Sequence, residues 1–326
     1  STQKWTLFPY TTLFRSPLSP PRPLRLGTRR SPLAMAQAHE ARDRLIAAHG
    51  WSVDAVEILP VLASGDRIQD RPLAEIGGKA LWTKELDAAL GEGEIDFAVH
   101  SMKDVETIRP DALTIAALLP RADVRDVLIG ATSIAAIPQG ARLGTSAPRR
   151  AAQMRNLRPD IDITGFRGNV ATRLAKLQAG EADVTLLASA GLGRLGETGV
   201  GRPLDADEWL PAPAQGAIGI ECRTDDNPMR AWLAAIDHAP TRAQVIAERA
   251  LLLALGGNCH SPVAVLTTGS DRLTMRAAIF SPDGAIRIEN SAAFDADDTA
   301  APAKLARALL SEAPEAVTAF FTGSPG

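Results

Sequence analysis

The sequence predicts an α/β protein: two similar α/β domains followed by a small α+β C-terminal domain. Three observations carry this. Strand-like and helix-like patterns alternate from residue 24 to about 118. The pattern restarts near residue 141, where Gly144-Thr145, then Pro148 and Arg149, echo Gly27-Thr28-Arg29-Arg30-Ser31-Pro32. Beyond residue 260 the order changes to strands first and a helix last.

Leu24 to Leu26 reads as a strand. Ser31-Pro32 then opens a helix, with serine as N-cap and proline at the first helical position, and Gly50 stops it. Val53 to Leu62 alternates and ends in a strand, and residues 63–78 form a polar, glycine-containing loop. Lys79 to Leu90 reads as helix and Asp96 to His100 as strand. This order implies a largely parallel sheet. In the second unit, Ala141 to Gly144, Ile161 to Phe166 and Val184 to Ala188 read as strands. Helices begin at Pro148 and Val170. Residues 211–222 are rich in proline, alanine and glycine and become strand-like from Ala217, as suits a crossover between domains. A helix from Thr241 to about Leu255, strands at 262–267, 272–280 and 284–292, and a helix at 301–312 complete the chain.

The expected division has four parts. Residues 1–23 are a disordered or non-native extension, since they lack periodicity and signal-peptide architecture. Residues 24–119 with 217–235 make the first domain, 120–216 the second and 236–326 the third. A length of 326 residues suits two or three such cores.

Composition narrows the function. Hydrophobic content of 45% with 22% charged residues is ordinary for a soluble globular protein. A net charge of -3 provides no bulk attraction to nucleic acid or anionic membranes, so neither is an expected partner. The longest apolar run, Ala250 to Leu255, is far too short to span a bilayer. The two cysteines, Cys222 and Cys259, show no metal-type spacing and suit free thiols in a reducing compartment. No metal site is expected, and the protein is expected to be cytoplasmic and monomeric.

The chemistry concentrates at strand ends. Phe97 to Val99 breaks abruptly into His100-Ser101-Met102-Lys103-Asp104. Ligands of open α/β sheets bind at the carboxyl ends of strands, so Lys103 and Asp104 are candidates. Taken alone, Asp104 reads more readily as a loop cap, because most loop aspartates are caps or turns. Arginines recur where strands run into helices: Arg29 and Arg30, Arg149 and Arg150, Arg167, and Arg173. A guanidinium fork beside a helix N-terminus makes a strong carboxylate or phosphate site. One such arginine could simply pair with an acid such as Asp160; several corners favour a cleft for a polyanion. There is no phosphate-loop or Gly-x-Gly-x-x-Gly signature, so a polycarboxylate fits better than a nucleotide. Cys222 reads as a buried small hydrophobe. Cys259, in Gly256-Gly257-Asn258-Cys259-His260, is the candidate for covalent chemistry.

Together these residues closely resemble the porphobilinogen deaminase (hydroxymethylbilane synthase) family, over about residues 24 to 320. The ordered motifs include Leu24 to Ala34, Gly77 to Leu86, His100 to Val105, Gly144-Thr145-Ser146 with Arg149-Arg150, and Arg167-Gly168-Asn169-Val170 with Thr172-Arg173-Leu174. Ala190 to Gly196, Gln215-Gly216-Ala217 and Ala247-Glu248-Arg249-Ala250 leading to Cys259 follow. The resemblance implies type 2 periplasmic-binding-protein-like α/β domains. It implies a transferase that condenses four porphobilinogen molecules head to tail into hydroxymethylbilane, releasing ammonia, in heme biosynthesis. It implies a dipyrromethane cofactor joined by a thioether to Cys259, and Asp104 as the essential carboxylate. Cofactor contacts would come from Lys103, Arg149, Arg150, Ser146, Thr145 and Arg173. Substrate contacts would come from Arg29, Ser31, Gln37, Arg167, Arg194 and Trp82. Each pyrrole carries an acetate and a propionate, which accounts for many arginines in one cleft. The chain departs from the family pattern at Ala63, Ala80, Trp82, Ala147 and the Gly-Gly-Asn-Cys loop. A non-enzymatic anion-binding protein and a cysteine-nucleophile transferase are the competing readings. The first leaves Asp104 and Cys259 without a role, and the second lacks a base and orienting partner.

Overall fold

The computed structural model describes residues 20–61, 83–257 and 261–321. The first unit begins with β1 (Leu24–Arg29), α1 (Pro32–His49), β2 (Val56–Val61), α2 (Lys84–Gly91), β3 (Phe97–Ser101) and β4 (Leu113–Leu118). Ser31 caps α1 by accepting from the Ala34 amide, and the helix ends at Gly50, as its sequence predicts. The strand expected from Val53 is shorter, because Val53–Ala55 forms a 3-10 turn first. The expected loop at 63–78 and the start of the helix expected from Lys79 lie outside the described residues.

The chain then builds β5 (Asp126–Ile129), β6 (Arg142–Gly144), α3 (Pro148–Leu157), β7 (Asp162–Thr164), α4 (Val170–Gln178), β8 (Val184–Ala188), α5 (Ser189–Arg194) and β9 (Arg202–Pro203). It returns as β10 (Ile218–Arg223), which joins the first sheet, and continues into α6 (Asn227–Ala234). The last unit packs α7 (Ala239–Ala254) and α8 (Ala301–Glu312) on β11 (Val263–Gly269), β12 (Arg272–Phe280) and β13 (Arg287–Asp295).

The strand orders are β2-β1-β3-β10-β4 and β7-β6-β8-β5-β9. The two sheets superimpose in logic: β6 stands where β1 does, and β5 where β10 does. This is the α/β arrangement of type 2 periplasmic-binding-protein-like domains, and the Gly-Thr echo falls on the equivalent strands β1 and β6. The sheets are mixed, not largely parallel. β1 pairs in parallel with β2 and β3, but β10 runs antiparallel to β3 and β4. The reason is connectivity. β10 arrives from the other unit at the carboxyl end of β3, so it must run back along it. β5 does the same against β8. The third sheet is an antiparallel meander, and β12 turns into β13 through Ser281-Pro282-Asp283-Gly284, where the Gly284 amide donates to Ser281 O at 2.9 Å.

Each unit has its own apolar core. Leu26, Leu45, Phe97 and Ile220 anchor the first, Leu143, Met154 and Trp209 the second, and Leu251, Met275 and Leu309 the third.

One buried carboxylate joins the units. Glu248 on α7 is fully buried and accepts hydrogen bonds from both terminal nitrogens of the Arg121 guanidinium at 2.9 Å. It also accepts the Ala214 amide at 2.6 Å and the Thr267 amide at 2.9 Å. Arg121 lies on the first crossover, Ala214 on the second and Thr267 on β11. Ala214 sits at φ 58°, a left-handed conformation unfavourable for a residue with a Cβ. Its bond to Glu248 holds it there. Replacing Glu248 with alanine leaves Arg121 buried and unpaired, which costs about 3–5 kcal/mol in comparable cases. Denaturant unfolding of the Glu248→Ala variant should show a loss of that order, and a change under about 1 kcal/mol would contradict the role.

Candidate active site

The carboxyl ends of β1, β3 and β6 face a cleft of about 730 Å³ between the first two units, closed at one side by α7. That volume lies in the range of small-molecule sites. Three helix N-termini reach its wall: Ser31-Pro32-Leu33 of α1, Ala147-Pro148 of α3, and Asn169 to Thr172 of α4. Each brings the partial positive charge of a helix start toward an anion. Gly168 makes the last of these corners possible. Its φ is 115°, and a Cβ there would stand 2.6 Å from the Thr172 side chain.

Met102–Asp104 forms a 3-10 turn directly after β3 and carries Lys103 and Asp104 to the wall. The turn is wedged in place. Met102 is buried against Gly219 of β10, where a Cβ would come within 2.0 Å of the Met102 sulfur. The Met102 amide donates to Ala217 O at 3.1 Å. The N-cap position of this turn is Ser101, whose side chain makes no cap bond.

The wall is strongly cationic. Arg29, Lys103, Arg149, Arg150, Arg167 and Arg173 all line it, together with Ser31 and Ser146. Asp104 and Glu197 are the carboxylates on the wall among the described residues. Burial lowers the Lys103 ammonium to about 8; Asp104 opposes that shift, and Arg150 and Arg149 reinforce it. Burial also lowers Arg173 to about 10, and its neighbour Arg150 adds to the effect. Cations this crowded and desolvated favour a bound polyanion over water.

Not every expected residue meets the ligand space in the way the sequence suggests. Arg149 and Arg150 reach the wall, but their forks turn inward to a fully buried acid, Asp126 on β5. Arg149 bonds it at 2.7 Å and Leu210 O at 2.8 Å, and Arg150 bonds it at 2.7 and 3.3 Å. Asp126 also accepts from the Trp209 indole at 2.8 Å and from Gln215 at 3.0 Å. Burial opposes its charge, but the two arginines win and hold its carboxyl far below the usual range. Asp160, the partner suggested by sequence, instead pairs with Arg158. Gln37, Thr145 and Arg194 are not brought onto the wall. Gln37 exchanges bonds with Ser101 at 2.7 and 3.1 Å and so braces the end of β3. The Thr145 hydroxyl accepts the Ala147 amide at 3.2 Å. Arg194 links Glu40 of α1 to Gly216 O, at 3.3 and 3.1 Å. Ser146 donates to Phe166 O at 2.8 Å. Cys259 and Trp82 lie outside the described residues. The described neighbour Ser261, two positions beyond Cys259, is on the cleft wall, as is Val263.

Sequence patterns miss Asp126 because it lies in a short strand without periodicity. They also miss Arg249, which lines the cleft from α7. Its motif was visible, but nothing in it signals a contact 140 residues away.

Two family models match the chain. One, described as porphobilinogen deaminase, dipyromethane cofactor binding domain, matches residues 24–231. The other, described as porphobilinogen deaminase, C-terminal domain, matches residues 242–311. The chain belongs to the porphobilinogen deaminase family. Among its relatives is the porphobilinogen deaminase of Sphingopyxis alaskensis, 57% identical over 93% of this chain and 98% of that protein. The porphobilinogen deaminase of Paracoccus denitrificans is 50% identical over 90% of this chain and 96% of that protein. Among solved structures, the Bordetella pertussis BvgS periplasmic VFT2 domain is similar with a TM-score of 0.39 and 14% identity. That match covers 66% of this chain and 86% of that domain.

The dipyrromethane cofactor of the porphobilinogen deaminase family fits what the cleft offers. Its two rings each carry two acids, and the wall offers crowded cations, helix N-termini and a Cys259 neighbour.

The Lys103 shift predicts a pH dependence. With its pKa lowered to about 8, the ammonium is charged below that pH and neutral above it. The affinity of a carboxylate ligand should therefore weaken by up to tenfold per unit as pH rises past about 8. For folding, the cost of the buried charge is present in full below about 8 and disappears as pH rises toward the ordinary value of 10.5. A KM–pH profile checks the binding claim. The profile of Lys103→Arg should stay flat where the parent rises, and identical profiles would refute it.

Proposed function

We propose that this cleft carries out the porphobilinogen deaminase reaction with Asp104 as its acid–base group and Cys259 as the cofactor anchor. The activity is the stepwise head-to-tail condensation of four porphobilinogen molecules into hydroxymethylbilane, with release of ammonia. One observation carries the assignment of roles. Asp104 stands on a wedged turn at the mouth of β3, within a wall whose other charges are almost all cationic.

The chemistry asks for two things that this arrangement provides. Ammonia leaves the aminomethyl group more easily when a proton reaches the nitrogen, and the remaining ring becomes electron-poor. A carboxyl group can deliver that proton, and its carboxylate form then hydrogen-bonds the pyrrole N–H and stabilises the positive ring. After carbon–carbon bond formation the attacked ring must lose its α-proton, which the same carboxylate can accept. Proton donated and proton recovered then balance in each cycle. When bound, the dipyrromethane supplies the free pyrrole position to which the first substrate is joined.

Lys103, Arg29, Arg167 and Arg173 hold the acetate and propionate groups. Ser31 and Ser146 border the same space. Arg149 and Arg150 contribute charge from fixed positions, because Asp126 sets their forks. Gln37, Thr145 and Arg194 support the wall from behind. Trp82 packs on a pyrrole ring in this reading. The domain division at 24–119 with 217–235, 120–216 and 236–326 assigns Asp104 to the first domain and Cys259 to the third. The protein acts in the cytoplasm as a monomer, without nucleic acid or membrane partners. No helix among the described residues is long and apolar enough to cross a membrane.

Two experiments test the roles. Asp104→Ala should still bind porphobilinogen but release ammonia about 10²–10⁴-fold more slowly, the usual contribution of a general acid–base group. Near-normal turnover would refute its role. Intact-protein mass should exceed the polypeptide mass by two linked pyrrole units, and the excess should vanish in Cys259→Ser. An unmodified mass in active protein would sink the anchor assignment.

A further inference from the structure

We propose that Arg249 is a positioning residue for the condensation: it fixes the turn bearing Asp104 against the helix that leads to the cofactor loop. The inference rests on the reading of Asp104 given above. Arg249 lies on α7, whose carboxyl end runs through Gly256-Gly257 toward Cys259. Its guanidinium reaches across more than 140 residues of sequence to three consecutive backbone carbonyls directly after Asp104. One terminal nitrogen donates to Val105 O at 3.2 Å; the other donates to Glu106 O at 2.6 Å and Thr107 O at 3.1 Å. One turn earlier on α7, Val245 packs in the same apolar cluster as Met102 and Val105. Two adjacent positions on one helix face therefore grip the turn, one by packing and one by hydrogen bonds.

The far side of the segment is held independently. The Glu106 carboxylate takes bonds from Arg109 at 2.8 Å and from the Thr83 hydroxyl at 2.8 Å. Arg109 continues to Glu221 on β10 at 2.9 and 2.8 Å. His100 stands 3.2 Å from the same Glu221, on the strand that leads into the turn. Residues 105–107 are thus clamped between the first sheet and α7.

Arg249 also lines the cleft, so a direct role as a carboxylate clamp has to be weighed. The geometry favours positioning. Both terminal nitrogens are committed to carbonyls, and a planar fork satisfying three carbonyls has little freedom to turn toward a ligand. Lysine cannot reproduce that fork, although it keeps the charge. Displacing an acid–base group by about 1 Å can cost on the order of 10²-fold in rate.

The test uses holoenzyme carrying Arg249→Lys, with Arg249→Gln as a second variant. Arg249→Lys should lower kcat about tenfold or more, leave KM within about twofold, and retain the two-pyrrole mass excess. Backbone amides of residues 102–107 should exchange with solvent faster in both variants. A raised KM with kcat preserved would overturn the proposal in favour of direct substrate binding. Unchanged kcat with faster exchange would also overturn it, because the grip would then be structural only. Full turnover in Asp104→Ala would instead remove the underlying reading, whatever Arg249 does to exchange.

Discussion

The buried carboxylate of Glu248 is the constraint on which the arrangement depends. Two α/β units joined by two crossover segments have no intrinsic reason to present one common cleft. Glu248 supplies it by accepting from Arg121 on one crossover, Ala214 on the other and Thr267 on the third sheet. A fully desolvated charge tolerates no vacancy among its partners, so the three units are held in one relation. The left-handed Ala214 shows that backbone strain is accepted to complete the set. The next residue on the helix, Arg249, reaches from there to the Asp104 turn.

Asp126 plays the corresponding part inside the second unit. Its carboxylate gathers Arg149, Arg150, the Trp209 indole and Gln215, the last of which lies on the second crossover. Arginines that would otherwise sweep large volumes become fixed charges on the cleft wall. Fixed charges suit a site that must bind acid-bearing pyrroles repeatedly, since no side-chain ordering is needed each time. Lys103 has no such hydrogen-bonded carboxylate among the described residues, and its lowered pKa reflects burial, with Arg150 and Arg149 adding to the effect.

Much of the fold was legible in residues 24–61 and 141–188. Ser31-Pro32 and Gly50 marked the ends of α1 because caps are local chemistry. The strand at Val184–Ala188 stood out because it is a short apolar run. The direction of β10 was not legible, because parallel and antiparallel pairing use the same residue pattern. It was decided by where the crossover delivered the chain. The short strands β5 and β9 carried too few residues to show a period.

By itself, the sequence determined the chemistry available: Asp104 and Lys103 at a strand end, arginines at helix starts, and one cysteine in a glycine-rich loop. Those features are local, so residue type and spacing suffice to reveal them. The ordered motifs also determined the family. Only the tertiary structure decided which of the charged groups face the cleft. It turned Arg149 and Arg150 toward Asp126, placed Gln37, Thr145 and Arg194 behind the wall, and brought Arg249 to the Asp104 turn. The physical reason is that a charge is satisfied by whichever partner the fold brings within about 3 Å, and that partner can lie anywhere along the chain.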